Sequence, residues 1–107
     1  MSVTADLMTQ LRFAGLPVPL TEFRFAPPRR WRFDYFFPPP YNLAVEQEGG
    51  VWRRGGGAHS RPAAILRDID KYNAAAVLGI TVIRVTTDMV SDGRALALVE
   101  RALKTVR

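Results

Sequence analysis

Hydrophobic and polar positions along the chain fall into short blocks whose period changes from helical to alternating and back. Leu7, Met8 and Leu11 recur at helical spacing, and Thr4 can cap a short amphipathic helix running to Phe13. Gly15, Pro17 and Pro19 end it. Phe23 and Phe25 flank Arg24 in a brief alternation, which reads as a strand stopped by Pro27 and Pro28. The run from Arg30 to Phe37 alternates again. That period puts Trp31, Phe33 and Tyr35 on one face and Arg32, Asp34 and Phe36 on the other. Three prolines at 38–40 make a rigid connector to a third strand, Leu43 to Glu48, closed by Gly49 and Gly50.

Residues 53–61 show no apolar period and read as a basic, glycine-rich loop. Pro62 suits the first turn of a helix that extends to about Leu78, with Ile65, Ile69, Tyr72 and Ala76 inward and Gly79 at its C-terminal cap. Ile80 to Val85 is dominated by β-branched residues and predicts a buried strand. A last helix is expected from about Ser91 to Val106, with Leu96, Val99 and Leu103 inward. The order α-β-β-β-α-β-α describes a meander followed by a right-handed crossover. The predicted class is therefore α/β, a mixed β-sheet flanked by helices in one domain over residues 1–107.

Composition narrows the function classes. No apolar run approaches the ~20 residues of a membrane span, and no hydrophobic leader argues for export, so a cytoplasmic, membrane-free protein is expected. With no cysteine, thiolate metal sites and disulfides are excluded. The net charge is +5, carried by thirteen arginines and two lysines. Arginine's planar fork suits phosphate, although a GC-rich genome would raise the arginine count as well. The positive sum points to an anionic partner.

Between Thr21 and Arg61 there are seven arginines and four acids, Glu22, Asp34, Glu46 and Glu48. Glu46 and Glu48 stand two apart on one strand and so share a face. A return of the chain through the prolines can bring Asp34 beside Glu46. Three carboxylates would then converge with one side open, the oxygen chemistry preferred by Mg²⁺, with Mn²⁺ able to substitute. The alternative is a solvated sheet face on which the acids pair with arginines such as Arg32.

Arg32-Phe33-Asp34, followed after a gap by Leu43-Ala44-Val45-Glu46-Gln47-Glu48-Gly49-Gly50, resembles the PD-(D/E)XK nuclease superfamily. Within it, the chain is most similar to small phage-type Holliday-junction resolvases, with very-short-patch-repair-like endonucleases as relatives. The resemblance extends through Asp68, Lys71-Tyr72-Asn73 and Val82-Ile83-Arg84-Val85. It implies a restriction-endonuclease-like αβββαβ core, a Mg²⁺-dependent endonuclease acting on branched DNA such as a four-way junction, and a homodimer. It also implies that Asp34 and Glu46 are the metal-binding pair. Glu48 departs from the pattern, since most members carry lysine there; it would serve as general base or further ligand. Glu22 resembles the additional upstream acid of resolvases, or is an ordinary surface glutamate beside a turn.

Lys71 admits two readings: an intrahelical ion pair with Asp68, which the spacing favours, or a cation delivered to the acidic site. Arg30, Arg32, Arg53, Arg54, Arg61 and His59 are candidate DNA contacts, with the glycines at 55–57 allowing close approach to a phosphate backbone. His59 is otherwise a lone loop histidine without a role. The loop lacks the lysine and Ser/Thr of a nucleotide P-loop, so no nucleotide cofactor is expected. Trp31, Phe33 and Tyr35 read as core before they read as base-stacking groups.

Overall fold

A computed structural model describes residues 5–49 and 62–105. Its elements are α1 (Leu7–Phe13), β1 (Leu20–Arg24), β2 (Arg32–Phe37), β3 (Leu43–Glu48), α2 (Pro62–Val77), β4 (Thr81–Thr86), α3 (Thr87–Ser91) and α4 (Arg94–Lys104). The strands form one mixed sheet in the order β1-β2-β3-β4. β1, β2 and β3 are an antiparallel meander, and β4 lies parallel to β3 after the α2 crossover. The predicted α/β class and its αβββαβ order are therefore present. Among the described residues no helix is long and apolar enough to cross a membrane.

Two apolar clusters fill the two faces of the sheet. On one face Leu7 and Leu11 of α1 and Val99 and Leu103 of α4 meet Phe37, Leu43, Val45 and Val85. On the other, Phe25, Phe33, Phe36 and Ala44 meet Ala75 of α2. Leu43 and Val45 face one way and Ala44 the other, as strand alternation requires. That places Glu46 and Glu48 on the α2 face.

Several sequence expectations change. The cap of α1 is Asp6, whose Oδ1 accepts from the Thr9 amide at 2.8 Å; Thr4 lies outside the described residues. The expected last helix begins later, as α4 at Arg94, and a short helix that the sequence pattern did not predict, α3, precedes it. Thr86 caps α3, and Gly93 at φ +89° breaks the chain before α4, so the Asp92-Gly93 pair is a turn inside the span read as continuous. The inward face of α2 is also different. Ile65 and Ile69 are each 48 % exposed, Ala76 is exposed, and Ala75 is the helix's buried residue. This helix meets the sheet through Tyr72, Ala74 and Ala75, where small side chains permit close approach. Gly79 sits at φ +76° just past α2, as its predicted capping role requires.

Candidate functional site

The alternation of β2 fails at Asp34. Tyr35 and Phe37 pack into the α1/α4 face and Phe36 into the α2 face, but Phe33 also lies on the α2 side. The predicted grouping of Phe33 with Tyr35 is thus overturned. Pairing shows where the strand departs from regularity. Thr21 partners Tyr35 and Phe23 partners Phe33, leaving Glu22 opposite Asp34 without ladder pairing. Glu22 itself has φ +50°, a conformation that costs a non-glycine residue ~1 kcal/mol or more and persists only where its surroundings enforce it.

On its other side β2 pairs with β3 from Phe37–Leu43 to Tyr35–Val45. Beyond that point side chains take over from the backbone ladder. The Asp34 amide donates to Oε1 of Glu46 at 3.2 Å, and the Gln47 amide donates to Oδ2 of Asp34 at 2.8 Å. Each carboxylate is therefore fixed to the other's strand. Asp34 also lines an open cleft of about 350 Å³ together with Glu22, Tyr35 and Gln47. Burial, followed by the charges of Asp6, Asp34 and Glu22, raises the Tyr35 phenol above its ordinary pKa.

Glu46 has a second set of partners on α2. Lys71 Nζ donates to its Oε2 at 2.8 Å, and the Tyr72 hydroxyl lies 3.5 Å from the same oxygen. The two ionic side chains are only 13 % and 16 % exposed. Lys71 Nζ also sits 4.8 Å over the Phe33 ring, close enough for a cation–π contact. The favoured reading of Lys71 as the partner of Asp68 is corrected here: its ion-pair partner is Glu46. The helix meets the sheet at Tyr72 and Ala75, which turns Lys71 toward β3.

Glu48 is held by Arg84, whose Nε donates to its Oε2 at 2.9 Å. Register explains the meeting, because Arg84 is the parallel partner of Glu46 and projects from the α2 face with Val82. Arg32 and Glu22 form an exposed pair at 3.4 Å, and Arg30 is exposed. Arg53, Arg54, His59 and Arg61 lie outside the described residues.

The expected three-carboxylate convergence is not found. Among the described residues no three acidic or histidine side chains stand together as a metal-binding group. The physical reason is local: Lys71 and Arg84 occupy Glu46 and Glu48, while Asp34 sits where the strand changes face. Asp34 and Glu46 still provide two hard oxygen donors on adjacent strands. Their chemistry fits Mg²⁺, which commonly keeps several waters and takes one or two carboxylates plus substrate phosphate.

Sequence reasoning missed the site's two other contributors, Tyr72 and Arg84. Arg84 had a legible signal, being the one charged residue in the strand Thr81–Thr86. Tyr72 belongs to the apolar period of α2, and nothing in its spacing indicates a hydroxyl near Glu46. Burial, then the negative charge of Glu46, raises the Tyr72 pKa to about 12. The folded state therefore favours the protonated phenol. The associated stability is complete below pH ~10, the unfolded value, and is lost as pH rises through about 12. Ultraviolet titration should show a tyrosine ionising near pH 12 that disappears in Tyr72→Phe, while the raised ionisation of Tyr35 remains. A Tyr72→Phe titration indistinguishable from wild type would contradict this placement.

No family model matches this chain, and no curated protein or solved structure matches it either.

Proposed function

We propose that the chain is a metal-dependent, structure-selective DNA endonuclease, and that four-way junctions are its substrate. One observation carries the reading: on adjacent strands the Glu46 carboxylate accepts from the Asp34 amide and the Asp34 carboxylate accepts from the Gln47 amide, while Lys71, from a separate helix, places an ammonium group on Glu46. Phosphodiester hydrolysis needs an activated water and neutralisation of developing negative charge. A bound Mg²⁺, or Mn²⁺ in its place, supplies that Lewis-acid chemistry, and Asp34 and Glu46 are the residues that would hold it.

The chain's own groups supply the rest. Lys71 brings a positive charge to the reacting phosphate, where preorganised charge counts for more than it does in water. Tyr72, protonated at neutral pH, steadies Glu46. Arg30 and Arg32 extend positive surface from the start of β2, and Arg53, Arg54, His59 and Arg61 complete the proposed backbone contacts. Glu22 contributes negative charge to the cleft beside Asp34.

The cation pairing of Glu46 and Glu48 favours a second reading, a DNA-binding module that does not cleave. Cleavage assays on four-way junctions, mismatched duplex and plain duplex, with Mg²⁺ and with chelator, separate the possibilities. The resolvase reading requires Mg²⁺-dependent cutting that is fastest on junctions. Preferential nicking at mismatches would instead place the chain with repair endonucleases, and metal-independent binding without cutting would leave the binding module.

Two matched cuts in a junction also call for two sites, which a symmetric dimer supplies. Leu7, Leu11, Phe36 and Phe37 are buried in the chain's own core and so do not offer apolar surface for that dimer. Sedimentation with junction DNA at micromolar protein is expected to show two protein chains per junction. One chain per junction would remove the paired-cut mechanism.

A further inference from the structure

Resting on that reading, we propose that Arg84 is the residue that grips the DNA phosphate at this site, and that Glu48 is a positioning residue acting through it. Two residues after Glu46 stands a second acid, Glu48. The neighbouring strand sets a cation against it. Arg84 lies in register with Glu46, and its Nε is tied to Glu48 at 2.9 Å. Its guanidinium carbon lies 5.1 Å from the centroid of the Tyr72 ring. A carboxylate and an aromatic face thus orient the fork. Glu48 is engaged through Nε, and among the described residues no acceptor takes the two terminal nitrogens. Those nitrogens are the pair that binds phosphate in a bidentate arrangement.

Room exists for that anion. A cleft of about 380 Å³ lies beside Arg84, lined by Ile65, Asp68, Ile69, Tyr72 and Asn73. The Arg84 side chain is 52 % exposed, so a backbone phosphate can reach it. Stability gives the Arg84–Glu48 pair little else to do, because an ion pair this exposed contributes at most ~1 kcal/mol.

Local charge sets a condition on binding. Lys71 and Arg84 stand among Asp34, Glu46, Glu48 and Asp68, which leaves the immediate surroundings two charges negative. A divalent ion on Asp34 and Glu46 offsets that excess. The grip of Arg84 on phosphate therefore depends on metal.

The test uses Arg84→Met, Glu48→Gln and the double variant in the full chain. DNA binding is measured by fluorescence anisotropy in Ca²⁺, as a probe divalent ion, and in chelator, each across a salt series. Cleavage kinetics are measured in Mg²⁺. Arg84→Met should weaken Ca²⁺-dependent binding roughly tenfold, the scale of one charge-assisted contact. It should also make the log–log salt slope shallower by ~1, with little change in chelator. Glu48→Gln should weaken binding less and keep the wild-type slope, and the double variant should bind no worse than Arg84→Met. In kinetics, Glu48→Gln should raise KM while kcat stays within ~3-fold, because only uniform binding is lost. A loss of kcat that persists in the Arg84→Met background would overturn the proposal and make Glu48 a metal ligand or base. Cleavage by wild type with a wild-type salt slope in Arg84→Met would also overturn it while sparing the nuclease reading. A wild-type chain that neither binds nor cuts DNA with any divalent ion would remove both.

Discussion

Asp34→Asn is expected to abolish cleavage and leave the melting temperature unchanged, whereas Glu46→Gln should abolish cleavage and also destabilise the fold. From the sequence both changes look benign for folding, because each removes a charge from a crowded acidic site. The structure separates them. The polar bond recorded for the Asp34 carboxylate is the one it accepts from the Gln47 amide, and an asparagine oxygen can accept the same bond. Glu46 is instead the counter-ion of Lys71, whose side chain is 13 % exposed. Neutralising Glu46 strands that ammonium in a largely apolar setting beside Phe33 and Tyr72. Breaking a buried pair from one side costs ~3–5 kcal/mol, which residual exposure here reduces to ~2. For a domain of this size that lowers Tm by ~10 °C. Activity should fall at least ~10³-fold in both variants, the scale on which one preorganised electrostatic contact acts. Calorimetry beside a Mg²⁺ cleavage assay makes the comparison. Near wild-type turnover in either variant would remove the proposed assignment of Asp34 and Glu46 as the metal-holding pair.

The contrast between Asp34 and Glu46 arises from tertiary contacts that local sequence pattern does not encode. Element order was legible because its signals are local: β-branched runs, alternation, and glycine or proline at the ends. The shared face of Glu46 and Glu48 was legible for the same reason, since a period of two needs no tertiary knowledge. Asp34 departs from the alternating pattern. Alternation assumes a regular strand, and the irregularity at Asp34 depends on Glu22 across the ladder, which is invisible in either segment alone. The face of α2 was also misjudged, because hydrophobic spacing identified Ile65 and Ile69 as inward while the helix seats on Ala74 and Ala75. Small residues carry little weight in an apolar pattern, yet they decide how closely a helix approaches a sheet. That error propagated to Lys71, whose partner follows from the helix's seating on the sheet. Arg84 was within reach. A single cation in an otherwise uncharged strand parallel to a strand of acids is an arrangement that sequence can flag, provided the strand neighbours are known.

Lys71→Met should be destabilising by itself, yet the double variant Lys71→Met/Glu46→Gln should recover much of the loss while remaining inactive. Each single change leaves one charge of a mostly buried pair without its counter-charge, and that residual charge is what unfolding relieves. Removing both removes the problem, since a desolvated ion pair is often no better for stability than neutral groups of similar volume. Methionine suits the test because its flexible, polarisable side chain can fill the path of the lysine stem beside Phe33 and Tyr72. Denaturant unfolding of wild type, both singles and the double variant closes a mutant cycle, with an expected coupling of ~2 kcal/mol between directly contacting residues. Metal adds a second readout. In Lys71→Met the Glu46 carboxylate has lost its competing cation, so Mn²⁺ should raise the melting temperature of this variant more than that of wild type, through preferential binding to the folded state. Strictly additive effects in the cycle would show that the 2.8 Å contact carries no energy of its own. An equal Mn²⁺ shift in both proteins would show that Glu46 is not a metal ligand. Wild-type cleavage by Lys71→Met would leave the ion pair as scaffolding and shift the search for the positive charge at the reacting phosphate to Arg84.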